Sequence, residues 1–233
     1  MPFIVGMGQA TVDYPAVGAI LYADSTTGGL SVRCTGTLIT PYAVLTAQHC
    51  TVGVTPQAIH FQHAGAYPID NHQTDKFAPY AFPEADLAIL YLTKSVIGIT
   101  LIDPNDTSAL PVGTVARIVG YGFHNDLSSA GATGTAASTV IVKKTGIKVH
   151  ADVTSSQCQS GFANKKLIYW TYSDQPLAPL QGSTCEGDSG GPLFVSGNPW
   201  WLAGVTSGEL LANPAILRLI PTYTAMWVGS RSG

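Results

Sequence analysis

Cys185-Glu186-Gly187-Asp188-Ser189-Gly190-Gly191-Pro192 runs directly into Leu193-Phe194-Val195. One glycine two residues before the serine and two directly after it permit a tight, exposed backbone turn. Such a turn can present Ser189 Oγ while aiming the N–H groups of Gly187 and Ser189 at one point. Those are the requirements of a nucleophile and an oxyanion hole for acyl transfer. Gly-Asp-Ser-Gly alone is equally the mark of an ordinary Gly-rich hairpin connection. The eight-residue setting, with Cys and Pro at its ends, is what singles this stretch out.

Outward from it, short β-rich runs recur along the whole chain. They are Val17 to Tyr22, Ser31 to Ile39, Ala58 to Gln62 and Leu87 to Leu92, then Thr114 to Tyr121, Thr139 to His150, Lys166 to Trp170, Pro192 to Val195, Trp200 to Thr206 and Ala215 to Ile220. Most are bounded by Gly, Pro, Asn or Asp, the usual turn punctuation. No repeat, heptad or low-complexity tract interrupts them. Helical periodicity is nearly absent until Tyr223 to Val228, where one short C-terminal helix is expected. The polar stretch Asp103-Pro104-Asn105-Asp106-Thr107 divides the runs into halves of similar size. An all-β fold of two small antiparallel barrels fits this pattern, because closure removes exposed sheet edges.

Composition agrees. The chain has 233 residues, 45% of them hydrophobic, which is ample for a sizeable core. Only 11% are charged, against about 25% in an average soluble domain. The 25 glycines and 15 prolines favour strands joined by many turns over long surface helices. A net charge of -3 leaves no electrostatic footprint for nucleic acid or anionic lipid. No apolar run approaches the ~18 residues of a membrane-spanning helix. Met1-Pro2-Phe3-Ile4-Val5-Gly6 lacks the regions of a signal peptide. The chain is therefore expected to be cytosolic or, preferably, secreted or periplasmic with its leader absent from this sequence. Cys34, Cys50, Cys158 and Cys185 allow three full pairings, among which sequence cannot choose. Low charge and abundant Gly, Ser and Thr point to an extracellular setting, where two bridges would persist.

A serine at its free pKa needs a base. His49 stands in Leu45-Thr46-Ala47-Gln48-His49-Cys50, after a short apolar strand and beside a cysteine whose bridge could pin its loop. His60 and His63 imitate a metal pair, but in a strand a spacing of three puts them on opposite faces, and no metal is expected. His72, His124 and His150 sit in turn-rich or strand-end contexts and read as surface residues. A carboxylate should orient the imidazole and stabilise its cation. Asp86 precedes Leu87-Ala88-Ile89-Leu90, an apolar run that would carry it inside, where it must be hydrogen-bonded.

In the order His49, Asp86, Ser189, these segments resemble the trypsin/chymotrypsin-like serine proteases, from Ile4-Val5-Gly6 to the chain end around Trp227. The resemblance implies two six-stranded barrels with the site in the cleft between them. Residues 1–110 would form the first, carrying His49 and Asp86. Residues 111–233 would form the second, carrying Ser189 and the closing helix. It implies a Cys34–Cys50 bridge; Cys185 lacks its usual downstream partner, which leaves the atypical Cys158–Cys185. The substrate backbone would pair with Gly204 to Glu209, where the family's Ser-Trp-Gly reads Ser207-Gly208-Glu209. Ser183 would form the pocket floor, with Thr184 and Glu186 beside it and Ala215 narrowing it. Together these favour an uncharged, small-to-medium side chain before the cleaved bond, although Glu209 at the rim could attract a basic one.

Ile4-Val5-Gly6 resembles the family's mature start, where a freed α-ammonium pairs with the aspartate before the nucleophile, here Asp188. With Met1-Pro2-Phe3 attached that ammonium does not exist, so a zymogen-like chain activated by cleavage between Phe3 and Ile4 is expected. The function expected is a secreted serine endopeptidase, monomeric and without cofactors, acting on protein or peptide and open to a protein inhibitor. One alternative is a protease-fold binding protein that does not cut. An esterase on a βα fold is the other, but Ser189 has no helical sequence after it. Asn105-Asp106-Thr107 has the form of a glycosylation sequon, and the acidic loop Asp70 to Asp75 reads as solvated rather than calcium-binding.

Overall fold

Short runs of alternating burial build the first half. Ala88, Leu90 and Leu92 are buried while Ile89 and Tyr91 are half-buried, the period of two that makes a strand and not a helix. The computed structural model describes residues 9–76, 86–102, 113–122, 147–154, 167–172, 187–195, 201–210 and 222–227. β2 (Val17–Ala23), β3 (Leu30–Thr40), β4 (Ala43–Thr46), β5 (Pro56–Phe61), β6 (Gly65–Lys76) and β7 (Ala88–Leu92) close into a six-stranded antiparallel barrel, in the order β2-β3-β4-β7-β6-β5. Ile20, Leu38, Val44, Ile59, Phe61 and Leu90 fill it. Each such side chain contributes roughly 1.5–3 kcal/mol by leaving water.

The second half is one antiparallel sheet of seven strands. β8 (Val115–Gly120), β9 (Val149–Thr154), β10 (Leu167–Tyr172), β11 (Pro192–Val195), β12 (Trp201–Leu210) and β13 (Thr222–Trp227) supply six, and β1 (Gln9–Ala10) adds an edge. The order is β1-β9-β8-β11-β12-β13-β10, and the sheet curls until β10 comes back within 8 Å of β9. β8, β10, β11 and β12 fall on expected runs, β9 overlaps its run only at Val149 and His150, and the run Ala215 to Ile220 lies outside the described residues. The short C-terminal helix does not form: Thr222–Trp227 is β13, paired with β10 and with β12. Six residues are too few for a helix to repay its nucleation, and Thr-Tyr-Thr-Ala-Met-Trp is rich in residues that favour a pleated surface. Asp70 to Asp75 is likewise not a loop but part of β6, with the register against β7 shifted between Asp70 and Thr74.

Alternation along β11 joins the halves. Phe194 points one way, into the cluster that holds Val17, Leu38 and Phe61 of the barrel with Val119, Leu202 and Val205 of the sheet. Leu193 and Val195 point the other way, onto Ala116, Ile118, Val149 and Ala203. One continuous apolar contact therefore runs between barrel and sheet and fixes the relative placement of His49 and Ser189. The segment before β2 straps across it. Tyr14, at φ 56°, stacks on Phe194, and the buried Lys148 Nζ donates to the carbonyls of Asp13 and Tyr14 at 2.8 and 2.9 Å.

Candidate active site

His49 lies just past the end of β4, whose four residues are all buried. The chain leaves this strand in a 3-10 turn, Gln48–Thr51, held by four independent ties. Cys50 N–H donates to the Ala47 carbonyl at 3.2 Å, and Thr51 Oγ1–H to the Gln48 carbonyl at 2.8 Å. Tyr22 O–H, buried under the turn, donates to the Cys50 carbonyl at 2.7 Å. The Cys34–Cys50 disulfide bolts the turn to β3. The imidazole is left 39% exposed, the condition of a group that must meet a solute.

Asp86 stands where the chain enters β7, and only 1% of it is exposed. A buried carboxylate is tolerated when its oxygens are satisfied. Here His49 N–H donates to Oδ1 at 2.8 Å, while His49 Nδ1–H and Ser207 Oγ–H donate to Oδ2 at 2.6 and 2.7 Å. Burial alone would raise the Asp86 pKa; the hydrogen bonds and charge of His49, with the Ser207 bond, outweigh it and hold the group below its usual value. The third donor comes from an irregularity in β12. Its register against β13 shifts between Thr206 and Gly208, so Ser207 falls out of the ladder, and its hydroxyl reaches Asp86. With Nδ1 committed to Asp86, the imidazole's other nitrogen, Nε2, is the one left to exchange protons.

Ser189 sits in the turn that enters β11, with Gly187 at φ 99° and Gly190 at φ 81°. Neither can carry a side chain. A Cβ on Gly187 would come within 2.7 Å of Gly122 Cα, and one on Gly190 would collide with Thr46 Oγ1 and the Thr35 carbonyl of the barrel. The turn's polar groups go to different partners. Gly191 N–H donates to the Asp188 carbonyl, Gly190 N–H to the Thr206 carbonyl and Thr35 N–H to the Ser189 carbonyl, each at 2.8 Å. Among the described residues, no acceptor meets the N–H of Gly187 or of Ser189. Cys50 Sγ lies 3.9 Å from His49 Nε2 and 3.6 Å from the Ser189 carbonyl, so the imidazole and the serine adjoin one sulfur.

A six-stranded closed barrel with a bonded His49–Asp86 pair, beside a curled sheet whose Ser189 turn packs against that barrel, has a counterpart among sequences. The sequence model of the Trypsin family matches residues 5–225. The chain belongs to the trypsin family. It is similar to a trypsin of Saccharopolyspora erythraea, 29% identical over 224 residues that cover 91% of this chain and 89% of that protein. It is also similar to a chymotrypsin of Phaedon cochleariae, at 24% identity, 93% and 78% covered. With CLIP domain-containing serine protease B9 of Anopheles gambiae it shares 26% identity over 97% of this chain, yet spans only 62% of that protein's length. As a trypsin-family domain it falls in the hydrolase class of serine-type endopeptidases.

Within this trypsin-family domain the structure joins His49 directly to Asp86 and brings the backbone of Ser189 to the Cys50 sulfur beside the imidazole, while among the described residues no hydrogen bond joins Ser189 Oγ to His49. Asp188, 1% exposed, accepts the Gly122 N–H at 2.8 Å. Ser207, expected only along the substrate, also grips Asp86. Gly208 and Glu209 continue β12 and pair with Ala225 and Thr224 of β13. Ser183, Thr184, Cys185, Glu186, Ala215, Cys158, Ile4, His124 and the divide at 103–107 lie outside the described residues. His60 is on the exposed side of β5, and His63, beyond the strand, has Nε2 at 2.8 Å from the Val12 carbonyl. His150 is not a surface residue: β9 half-buries it against the Tyr14 ring, and its Nδ1 has no partner among the described residues. Cys34, His49 and Cys50 offer three ligand atoms within 4.8 Å, but both sulfurs are spent in the disulfide. Sequence reasoning missed Thr35, whose type and neighbours carry no signal; its importance comes from what lies across the interface. Among the described residues no helix is long and apolar enough to cross a membrane.

Proposed function

We propose that the chain is a secreted endopeptidase that cleaves protein or peptide through an acyl-enzyme on Ser189. Ser189 Oγ attacks the carbonyl carbon as His49 Nε2 takes its proton. The imidazolium so formed is stabilised by Asp86, which keeps Nδ1 protonated and the ring in place. The N–H groups of Gly187 and Ser189 meet the negative charge on the former carbonyl oxygen. His49 then returns the proton to the leaving amine, and water repeats the sequence. The observation that carries this reading is the Asp86 carboxylate, buried yet triply hydrogen-bonded, with two donors from His49 itself.

The finer parts rest on the family resemblance. A serine floor at Ser183, Ala215 at the wall and no aromatic at Gly208 favour uncharged, small-to-medium residues before the cleaved bond. A freed Ile4 ammonium pairing with Asp188 would give full activity. Fluorophosphonate treatment followed by intact mass tests the core. One adduct is expected, absent from Ser189→Ala and from His49→Ala, and the same mass shows whether Met1-Pro2-Phe3 remains. A chain beginning at Ile4 that takes no adduct would be a non-catalytic binding protein instead. Full peptide hydrolysis by a chain confirmed to begin at Met1 would refute the activation requirement alone.

A further inference from the structure

We propose that Thr35 is a positioning residue for the oxyanion donors: its hydroxyl, reaching from the barrel, locks the Gly187–Ser189 backbone so that both N–H groups converge. This rests on reading the site as an acyl-transfer centre. Thr35 is fully buried in β3, and each of its polar groups is committed. Its Oγ1–H donates to the Gly187 carbonyl at 2.8 Å, while the same oxygen accepts the Tyr121 N–H at 3.0 Å. The hydroxyl therefore cannot turn toward one partner without deserting the other. Thr35 N–H holds the Ser189 carbonyl at 2.8 Å, and the Thr35 carbonyl is held by Thr46 Oγ1–H at 2.9 Å.

Gly187 needs such a partner because it cannot restrain itself. At φ 99° and packed on Gly122 Cα, it must be glycine, and a glycine peptide reorients at little cost. The carbonyl that Thr35 binds belongs to the peptide unit between the two donor N–H groups. An uncompensated rotation of that unit would swing the peptides on either side, which carry the two N–H groups. Held from the opposite half of the molecule, the turn keeps its donors aimed before substrate arrives, which is the condition under which such donors lower a barrier.

Thr35→Val removes the hydroxyl and keeps the shape; Thr35→Ser keeps the hydroxyl. Thr37→Val makes the same exchange two residues along β3, at a buried hydroxyl with no partner among the described residues. Peptide hydrolysis and affinity for a peptide boronate, which forms a tetrahedral adduct on serine, are measured on chains confirmed by intact mass to begin at Ile4. Thr35→Val should lose about 10- to 100-fold in kcat with KM within about threefold, and boronate affinity should fall in step. Thr35→Ser should recover most of the loss, and Thr37→Val should match wild type. An active wild type with an equally active Thr35→Val overturns the proposal, as does a Ser variant as slow as the Val variant. Should Thr35→Val not fold, Thr35→Ser decides: kcat within about threefold supports the proposal, and a loss beyond about tenfold overturns it. A wild type confirmed to begin at Ile4 that takes no fluorophosphonate and cuts no peptide removes the parent reading as well, a result distinct from the others.

Discussion

At the scale of single residues, the proposed chemistry turns on where Asp86 places one proton. Its carboxylate keeps hydrogen on His49 Nδ1 and leaves Nε2 as an acceptor. Asn at position 86 would offer an N–H to Nδ1 and force the opposite tautomer. Asp86→Asn should therefore lower kcat by about 10⁴-fold at neutral pH, the loss that this change causes in the family's template enzyme. Circular dichroism should show the fold intact. The same variant tests linkage. Because the folded Asp86 pKa is depressed, its stabilisation is present above the ordinary carboxylate pKa and is lost as pH falls through the lower folded value. Urea unfolding against pH should show a shallower acid limb in Asp86→Asn than in wild type. His49, Asp86 and Ser189 were legible in sequence because each sits in a local context with few other uses. Thr35 was not, since a threonine in a strand is ordinary until a glycine carbonyl from more than 150 residues away arrives beside it.

At the scale of elements, the turn entering β11 is shaped by what the barrel leaves room for. Gly190 is the tightest point, at positive φ and pressed on Thr46 Oγ1 and the Thr35 carbonyl. Gly190→Ala adds backbone strain to a collision with atoms that have nowhere to go. It should destabilise the chain by at least about 2 kcal/mol. The midpoint of urea unfolding measures this, and a variant of wild-type stability would mean that the turn is far looser than its contacts show. The sequence displayed most strands through their turn residues and apolar alternation. It misread β13 as a helix because six residues at a chain end carry too little periodicity to separate periods of 2 and 3.6. The edge strand β1 and the whole of β6, Gly65–Lys76, were missed for a related reason. Polar residues become strand when a neighbour supplies the ladder, and that neighbour lies far away in sequence.

At the scale of the whole molecule, the strap before β2 carries the interface between barrel and sheet, and a buried charge marks it. Burial brings Lys148 from 10.5 down to about 8, against a smaller upward pull from Asp13. Below about pH 8 the amine is protonated in both folded and unfolded chains, and folding bears the full cost of burying the charge. Between about 8 and 10.5 the unfolded chain holds a proton that the folded one has released, so the free energy of unfolding should rise. It should level off above that window. Lys148→Met should remove the rise, as urea titrations from pH 7 to 11 would show. A wild type equally stable throughout would place the ammonium in contact with water.

The sequence by itself determined the all-β class, the residues of the candidate triad and the glycine turn around Ser189. Those properties are local: strand period, turn residues and a motif eight residues long are written contiguously. Only the tertiary structure decided that Ser207 leaves its ladder to hold Asp86 and that Thr35 holds Gly187. It also decided that β1 completes a sheet begun more than a hundred residues later. Each joins groups remote in the chain, and such groups meet only after the burial of residues such as Phe194 has fixed how barrel and sheet pack.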